Sequence, residues 1–300
     1  MAQTLVGPRQ IIDRALSDLR IRDVSSPEPH TLLLVHAHPD DETLTTGGTM
    51  AVYAARGVRV VLVTCTLGEE GEIIPPHLAE LGSWAGDQLG GYRDGELAAA
   101  CAALGVTERH QLGGIGRWRD SGMAGTLSAD HPRAFTGGDA GEQAAQLRAV
   151  IDEVRPQVVV TYDANGGYGH PDHIRAHRIT MAATESAPSV RRVFHTVSSA
   201  GAVATGLAGL RERPELPFRV AADDELPTTP DEDIDTVVDV TRLLPAKVAA
   251  LRAHATQITV GEDWFALSND IIQPITATEH FVLARGEAGA RTDLFEGLRP

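Results

Sequence analysis

Leu32-Leu33-Leu34-Val35-His36-Ala37-His38-Pro39-Asp40-Asp41-Glu42 runs from an unbroken apolar segment straight into histidine, proline and two adjacent aspartates. The apolar part is too short for a helix and reads as a buried strand. Pro39 cannot donate to a ladder, so the strand ends at or before it. His38 and Asp41 then fall in the turn at the strand's carboxyl end, where open α/β sheets place their ligand sites. A helix cap at Asp41 or Thr43 accounts for one polar residue here. It does not account for His38, Asp40 and Asp41 together.

Outward from this stretch, strand-type and helix-type segments alternate. Strands are expected at 59–66, 110–112, 157–162 and 192–197. Helices are expected at 50–55, 93–104, 141–154 and from His173 to about Ser186, with Gly57 and Gly105 closing the first two. Alternation of this kind builds βαβ units. The expected fold is α/β, a Rossmann-like, mostly parallel sheet of order 3-2-1-4-5 with helices on both faces. Two long segments, 67–92 and 113–139, are rich in glycine and are expected to wall a site. After residue 198 the rhythm changes. Residues 199–233 carry many prolines and acids, and strands near 236–240 and 280–284 flank a helix near 243–256. The expected division is an N-terminal extension (1–29) with a short helix over 8–20, a Rossmann-like domain (30–198) and a smaller C-terminal α/β subdomain (199–300).

The chain of 300 residues is 42% hydrophobic with a formal net charge of −15. That content supports a core, and that charge argues against nucleic acid or an anionic membrane as partner. Two isolated cysteines, Cys65 and Cys101, make no disulfide framework, which points to a reducing cytoplasm. No apolar run approaches the ~20 residues of a membrane span. The start MAQTLVGPRQ lacks the pattern of a signal peptide.

A second strand end repeats the pattern of the first. The run 157–162 leads into Asp163-Ala164-Asn165-Gly166-Gly167-Tyr168-Gly169-His170-Pro171-Asp172-His173. In the order 3-2-1-4-5, strands 1 and 4 are neighbours and the order reverses between them. His38, Asp41 and His173 then offer two imidazoles and a carboxylate. Three protein ligands with an open position suit a catalytic zinc, and the same set suits Fe(II). Asp40 is the candidate general base. His170 is the candidate acid or the donor to an oxyanion, with Tyr168 as a second donor. Asp172 either orients a histidine or serves as a carboxylate at a helix N-terminus. His36 shares a strand face with His38 and is assigned to packing.

A-H-P-D-D-E after one strand and H-P-D-H after a later one resemble the PIG-L/LmbE family of metal-dependent deacetylases. Within it, Thr64–Glu72, Gln88–Arg93, Gly116–Met123 and Ala253–Gln257 resemble the branch that removes acetyl from N-acetylglucosaminyl-inositol in mycothiol biosynthesis. The resemblance implies metal ligands at His38, Asp41 and His173, a base at Asp40, an acid or intermediate-stabilising histidine at His170 and an oxyanion tyrosine at Tyr168. It further implies sugar contacts at Arg93 and Asp120 with Met123 nearby, His254 approaching the pocket, and one Zn2+ per subunit, with Fe2+ as the other option. The small-molecule substrate it implies is the acetylated glucosaminyl-inositol. Two alternatives stand beside it: the amidase of mycothiol S-conjugates and a non-catalytic sugar-binding metalloprotein.

Overall fold

The computed structural model describes residues 29–299. The helix expected over 8–20 lies outside them.

The chain opens with β1 (Thr31–His36), every residue of which is buried. It continues through α1 (Asp41–Ala55), β2 (Arg59–Thr64), α2 (Leu89–Leu104), β3 (Glu108–Gln111), α3 (Ala140–Val154), β4 (Val158–Tyr162), α4 (Pro171–Thr184) and β5 (Arg192–Val197). These strands pair in parallel in the order β3-β2-β1-β4-β5, as the alternation predicts. Successive β1 side chains point to opposite faces. Leu32 and Leu34 enter a core with Met50, Leu97, Leu104 and Ala250, while Leu33 and Val35 enter another with Leu147, Ile151 and Ile179. Helices therefore cover both faces, which is why β1 carries no polar alternation.

Two strands from the C-terminal part continue this sheet. β11 (Thr278–Arg285) runs antiparallel to β5, and β7 (Thr236–Asp239) antiparallel to β11, completing seven strands. The region expected as a smaller subdomain thus has two parts. β6 (Arg219–Val220), β8 (Thr259–Val260), β9 (Trp264–Ala266) and β10 (Ile271–Pro274) make a separate small sheet. α5 (Ala200–Arg211) and α6 (Leu244–Ala253) are the longer helices of this part, and α6 lies against α1 and α2. Among the described residues no helix is long and apolar enough to cross a membrane.

Three helices depart from the sequence expectation, α2 by starting at Leu89 rather than Arg93. α1 begins at Asp41 rather than Met50, passing through Gly47-Gly48 without stopping. A Cβ on Gly48 would come within 2.6 Å of Val240, so glycine is there for close packing and does not end the helix. α5 was not expected at all. It starts at Ser199, whose hydroxyl accepts from the Ala202 N–H, and a Cβ on its Gly206 would strike Pro274.

Candidate active site

The sheet order reverses between β1 and β4, so the turns after these strands face each other. The first turn carries His38 to Asp41. The second carries Gly166 to His173, with His173 in the first turn of α4. His38 Nδ1, Asp41 Oδ2 and His173 Nε2 form a triangle with edges of 3.2, 3.3 and 3.3 Å. Ligands ~2.0–2.1 Å from a tetrahedral dication stand about 3.3–3.4 Å apart, so the triangle matches one face of such a tetrahedron. All three residues are buried.

Each donor is held from behind. His173 Nδ1 lies 3.1 Å from the Gly166 carbonyl, to which it donates when Nε2 is left as the ligand. His38 Nε2 faces Asp172 Oδ2 at 3.3 Å and Asp120 Oδ1 at 3.5 Å. These contacts fix which ring nitrogen carries hydrogen and leave the other lone pair turned to the shared centre. Asp120 and Asp172 also form a donor group with His38, and His170 another with His38 and His173. The first of these sits on the far nitrogen of His38, where it orients the ring. The Tyr162 hydroxyl donates to Asp41 Oδ2 and accepts from the Ala37 N–H, both at 2.8 Å. Burial alone would raise the Asp41 carboxyl, but His173 and His38 hold it well below the usual range.

Asp40 has a φ of 125°, a conformation L-residues avoid. Its carboxylate accepts from Arg93 at 3.0 Å, and Arg93 also donates to the Gly68 and Pro39 carbonyls. The Asp40 N–H donates to Glu42 Oε2 at 2.9 Å, and Glu42 Oε1 lies 2.8 Å from His254 Nε2. Burial pushes the Asp40 carboxyl up to about 6 against the pull of Arg93. His170 caps α4: its Nδ1 accepts from the Asp172 N–H at 3.2 Å, so Nε2 carries the hydrogen. Burial, then the neighbouring His38 and His173, push this imidazole down to about 4, so it is neutral near pH 7. Tyr168 stands 57% exposed at the mouth, its ring 5.1 Å from that of His173. It follows Gly166 (φ 66°) and Gly167 (φ 71°), and a Cβ at Gly166 would meet His173 at 2.7 Å.

The structure thus brings His38, Asp40, Asp41, Tyr168, His170, Asp172 and His173 to one place. Asp120 arrives from the segment after β3, and Arg93 reaches in from the first turns of α2. Met123, three residues after Asp120, lies 48% exposed. His36 turns its Nε2 to Thr46 (3.1 Å) and does not join. Tyr162 and Glu42 were not read from the sequence as parts of the site, and His254, expected near the pocket, meets the site through Glu42 and does not line the cavity. A lone phenol closing a buried strand of three valines and a threonine was the available signal for Tyr162. A cavity of about 700 Å3 opens from Asp41, His173 and Tyr168 and runs between β5, α5 and the small sheet.

A Rossmann-like sheet whose switch point holds two imidazoles and a carboxylate in one triangle offers the donor set of a single divalent cation. The chain belongs to the PIG-L family, described as GlcNAc-PI de-N-acetylase, whose model matches residues 33–184. It is 66% identical over 268 residues to the 1D-myo-inositol 2-acetamido-2-deoxy-alpha-D-glucopyranoside deacetylase of Saccharomonospora viridis, covering 89% of this chain and 100% of that one. A deacetylase of the same description from Saccharopolyspora erythraea is 59% identical over 287 residues, covering 90% and 95%. Among solved structures, the 4-carboxy-2-hydroxymuconate hydratase of Pseudomonas putida matches with a TM-score of 0.55 at 17% identity, over 88% of this chain and 100% of that one. That likeness concerns the fold alone.

Proposed function

We propose that this protein is a zinc-dependent amide hydrolase that removes the acetyl group from N-acetylglucosaminyl-inositol in mycothiol biosynthesis. The observation that carries the reading is the donor triangle of His38, Asp41 and His173, with edges of 3.2–3.3 Å. The names of the two relatives supply the substrate. One zinc per subunit is assigned to the triangle, and Fe2+ fits the same donors.

When bound, the dication polarises the acetamide carbonyl and acidifies a water. Asp40 takes the proton of the attacking water and returns it to the departing amine, and Arg93 holds its carboxylate in place. The His170 Nε2–H and the Tyr168 hydroxyl donate to the carbonyl oxygen as it gains charge. Asp172 and Asp120 keep the His38 ring turned. On the family resemblance, Arg93 and Asp120 are assigned to hydroxyls of the glucosaminyl ring, with Met123 nearby. Acetate and the free amine are the products. The net charge of −15 and the two isolated cysteines support a cytoplasmic location and a small-molecule rather than a nucleic-acid partner.

The test is acetate release from N-acetylglucosaminyl-inositol by metal-stripped and zinc-loaded enzyme. Asp40→Ala is expected to keep metal and lose roughly 10²–10⁴ in turnover, the range of general acid–base catalysis. His173→Ala is expected to lose metal as well. Retention of both metal and turnover by His173→Ala would refute the assignment.

A further inference from the structure

Tyr168 has to aim its hydroxyl at the carbonyl oxygen of the substrate, yet its ring is exposed and meets the site by its edges. The centroid distances are 6.0 Å to His170 and 5.1 Å to His173. The direction of such a side chain follows the φ/ψ of the backbone that carries it. That backbone is Gly166-Gly167, two residues with the most conformational freedom to lose. Both are held at positive φ, 66° and 71°. We propose that Asp163 is the positioning residue of this turn, and that one of its carboxylate oxygens fixes both Tyr168 and the backbone carbonyl behind His173. The inference rests on the deacetylase reading and deepens it.

Asp163 directly follows β4. Its own starting point is fixed, because Tyr162 pairs with Thr196 in the sheet and the Tyr162 carbonyl accepts from His177 Nδ1 of α4 at 2.9 Å. Asp163 Oδ1 accepts from the Asn165 N–H at 2.9 Å and from the Gly167 N–H at 3.0 Å. The Asp163 carbonyl accepts from the Gly166 N–H at 3.0 Å, and Asn165 Nδ2 donates to the Gly167 carbonyl at 3.1 Å. An aspartate side chain that gathers the N–H groups following it folds the chain as an Asx turn. Bonds to a charged acceptor are stronger than bonds between neutral groups. Two functional groups leave this turn. The Gly166 carbonyl faces His173 Nδ1 at 3.1 Å, and Tyr168 is the next residue after Gly167. Without the carboxylate oxygen the two glycines are free to leave this conformation. The oxyanion donor and the support of the metal ligand would then be disturbed together.

The experiment measures acetate release from N-acetylglucosaminyl-inositol at saturating zinc, and zinc affinity by competition with a chelator. Asp163→Ala is expected to lower kcat about 10- to 100-fold, the scale of a misplacement near 1 Å, with KM within about twofold of wild type. On top of Tyr168→Phe the same change is expected to cost less than about twofold, because the donor it aims is already gone. The zinc affinity of Asp163→Ala is expected to fall about tenfold through the Gly166 carbonyl. Two further variants separate the acceptor from the charge and keep the test readable if the alanine variant folds poorly. Asp163→Asn keeps the oxygen and drops the charge, and is expected to recover most of both losses. Asp163→Glu keeps the charge and moves the oxygen, and is expected to recover neither. Losses that add to those of Tyr168→Phe, an unmoved zinc affinity, or recovery by Asp163→Glu rather than Asp163→Asn each overturn the proposal. Each leaves the deacetylase reading standing. If the wild-type zinc-loaded enzyme releases no acetate, that reading fails instead, and the chelator competition still decides whether Asp163 supports His173.

Discussion

At the scale of single residues, the strained backbone of Asp40 is the most informative feature. A φ of 125° in an L-residue costs of order 1–3 kcal/mol and persists only where surroundings over-determine it. Arg93 fixes the side chain, and the Glu42 carboxylate fixes the N–H. Glu42 is in turn held by His254, 212 residues away in the chain. His254→Ala leaves Glu42 buried without that partner and lets the Asp40 turn relax. Turnover is expected to fall about 10- to 100-fold, the scale of a misplacement near 1 Å, while zinc content measured by atomic absorption stays at one per chain. His254→Gln, which keeps a donor, should recover part of the loss, and an unaltered kcat in His254→Ala would contradict the brace. Tyr162 acts on the other aspartate. Tyr162→Phe removes the donor to Asp41 Oδ2, and zinc affinity by competition with a chelator is expected to drop about 10- to 100-fold, as for other groups that support a ligand.

At the scale of elements, α1 is tied to the C-terminal part through its middle. The Gly48 and Thr49 N–H groups donate to Glu279 of β11 at 2.9 and 2.7 Å, and Lys247 of α6 closes the group. Glu279→Ala leaves Lys247 buried and unpaired, and a loss of about 3–5 kcal/mol is expected in urea unfolding. Adding Lys247→Met should recover much of it. No recovery would mean that the backbone contacts of Glu279, rather than the ion pair, set the cost. This arrangement also explains what the sequence did and did not disclose. β1, β2 and β4 were legible because strands covered on both faces are largely runs of apolar residues. His38 was legible because Pro39 marks where β1 stops, and His170 and His173 because the same His-Pro-Asp grouping follows β4 at the start of α4. The first half of α1 was not, since Gly47-Gly48 resembles a helix stop and only the approach of Val240 accounts for it. The two-residue strands of the small sheet carry no pattern to read. The His254 brace joins distant segments through tertiary contact, which periodicity does not reveal.

At the scale of the whole molecule, stability and site both depend on strands from opposite ends of the described chain. On β5, burial and the neighbouring His177 push the His195 imidazole down to about 4, Asp163 opposing them. A histidine depressed in the folded state contributes stability in full above its unfolded value near 6.5, and that contribution is lost as pH falls toward 4. The melting temperature is therefore expected to decline across that window, and the decline should be shallower in His195→Phe. Parallel curves for the two proteins would exclude His195 as a source. β5 itself is covered by β11, and the core above β1 is completed by α6 and by Leu294 and Phe295. A chain ending at residue 198 would leave β5 as an open edge, with Val193 and Phe194 beside unpaired backbone groups. It would also strip α6 and β11 from the face of α1 that positions Asp40 and Asp41. Such a fragment is expected to aggregate and to show no cooperative urea transition by circular dichroism. A soluble fragment that unfolds in one step and binds zinc would show instead that residues 30–198 fold alone, with the C-terminal strands as a later addition to a finished sheet.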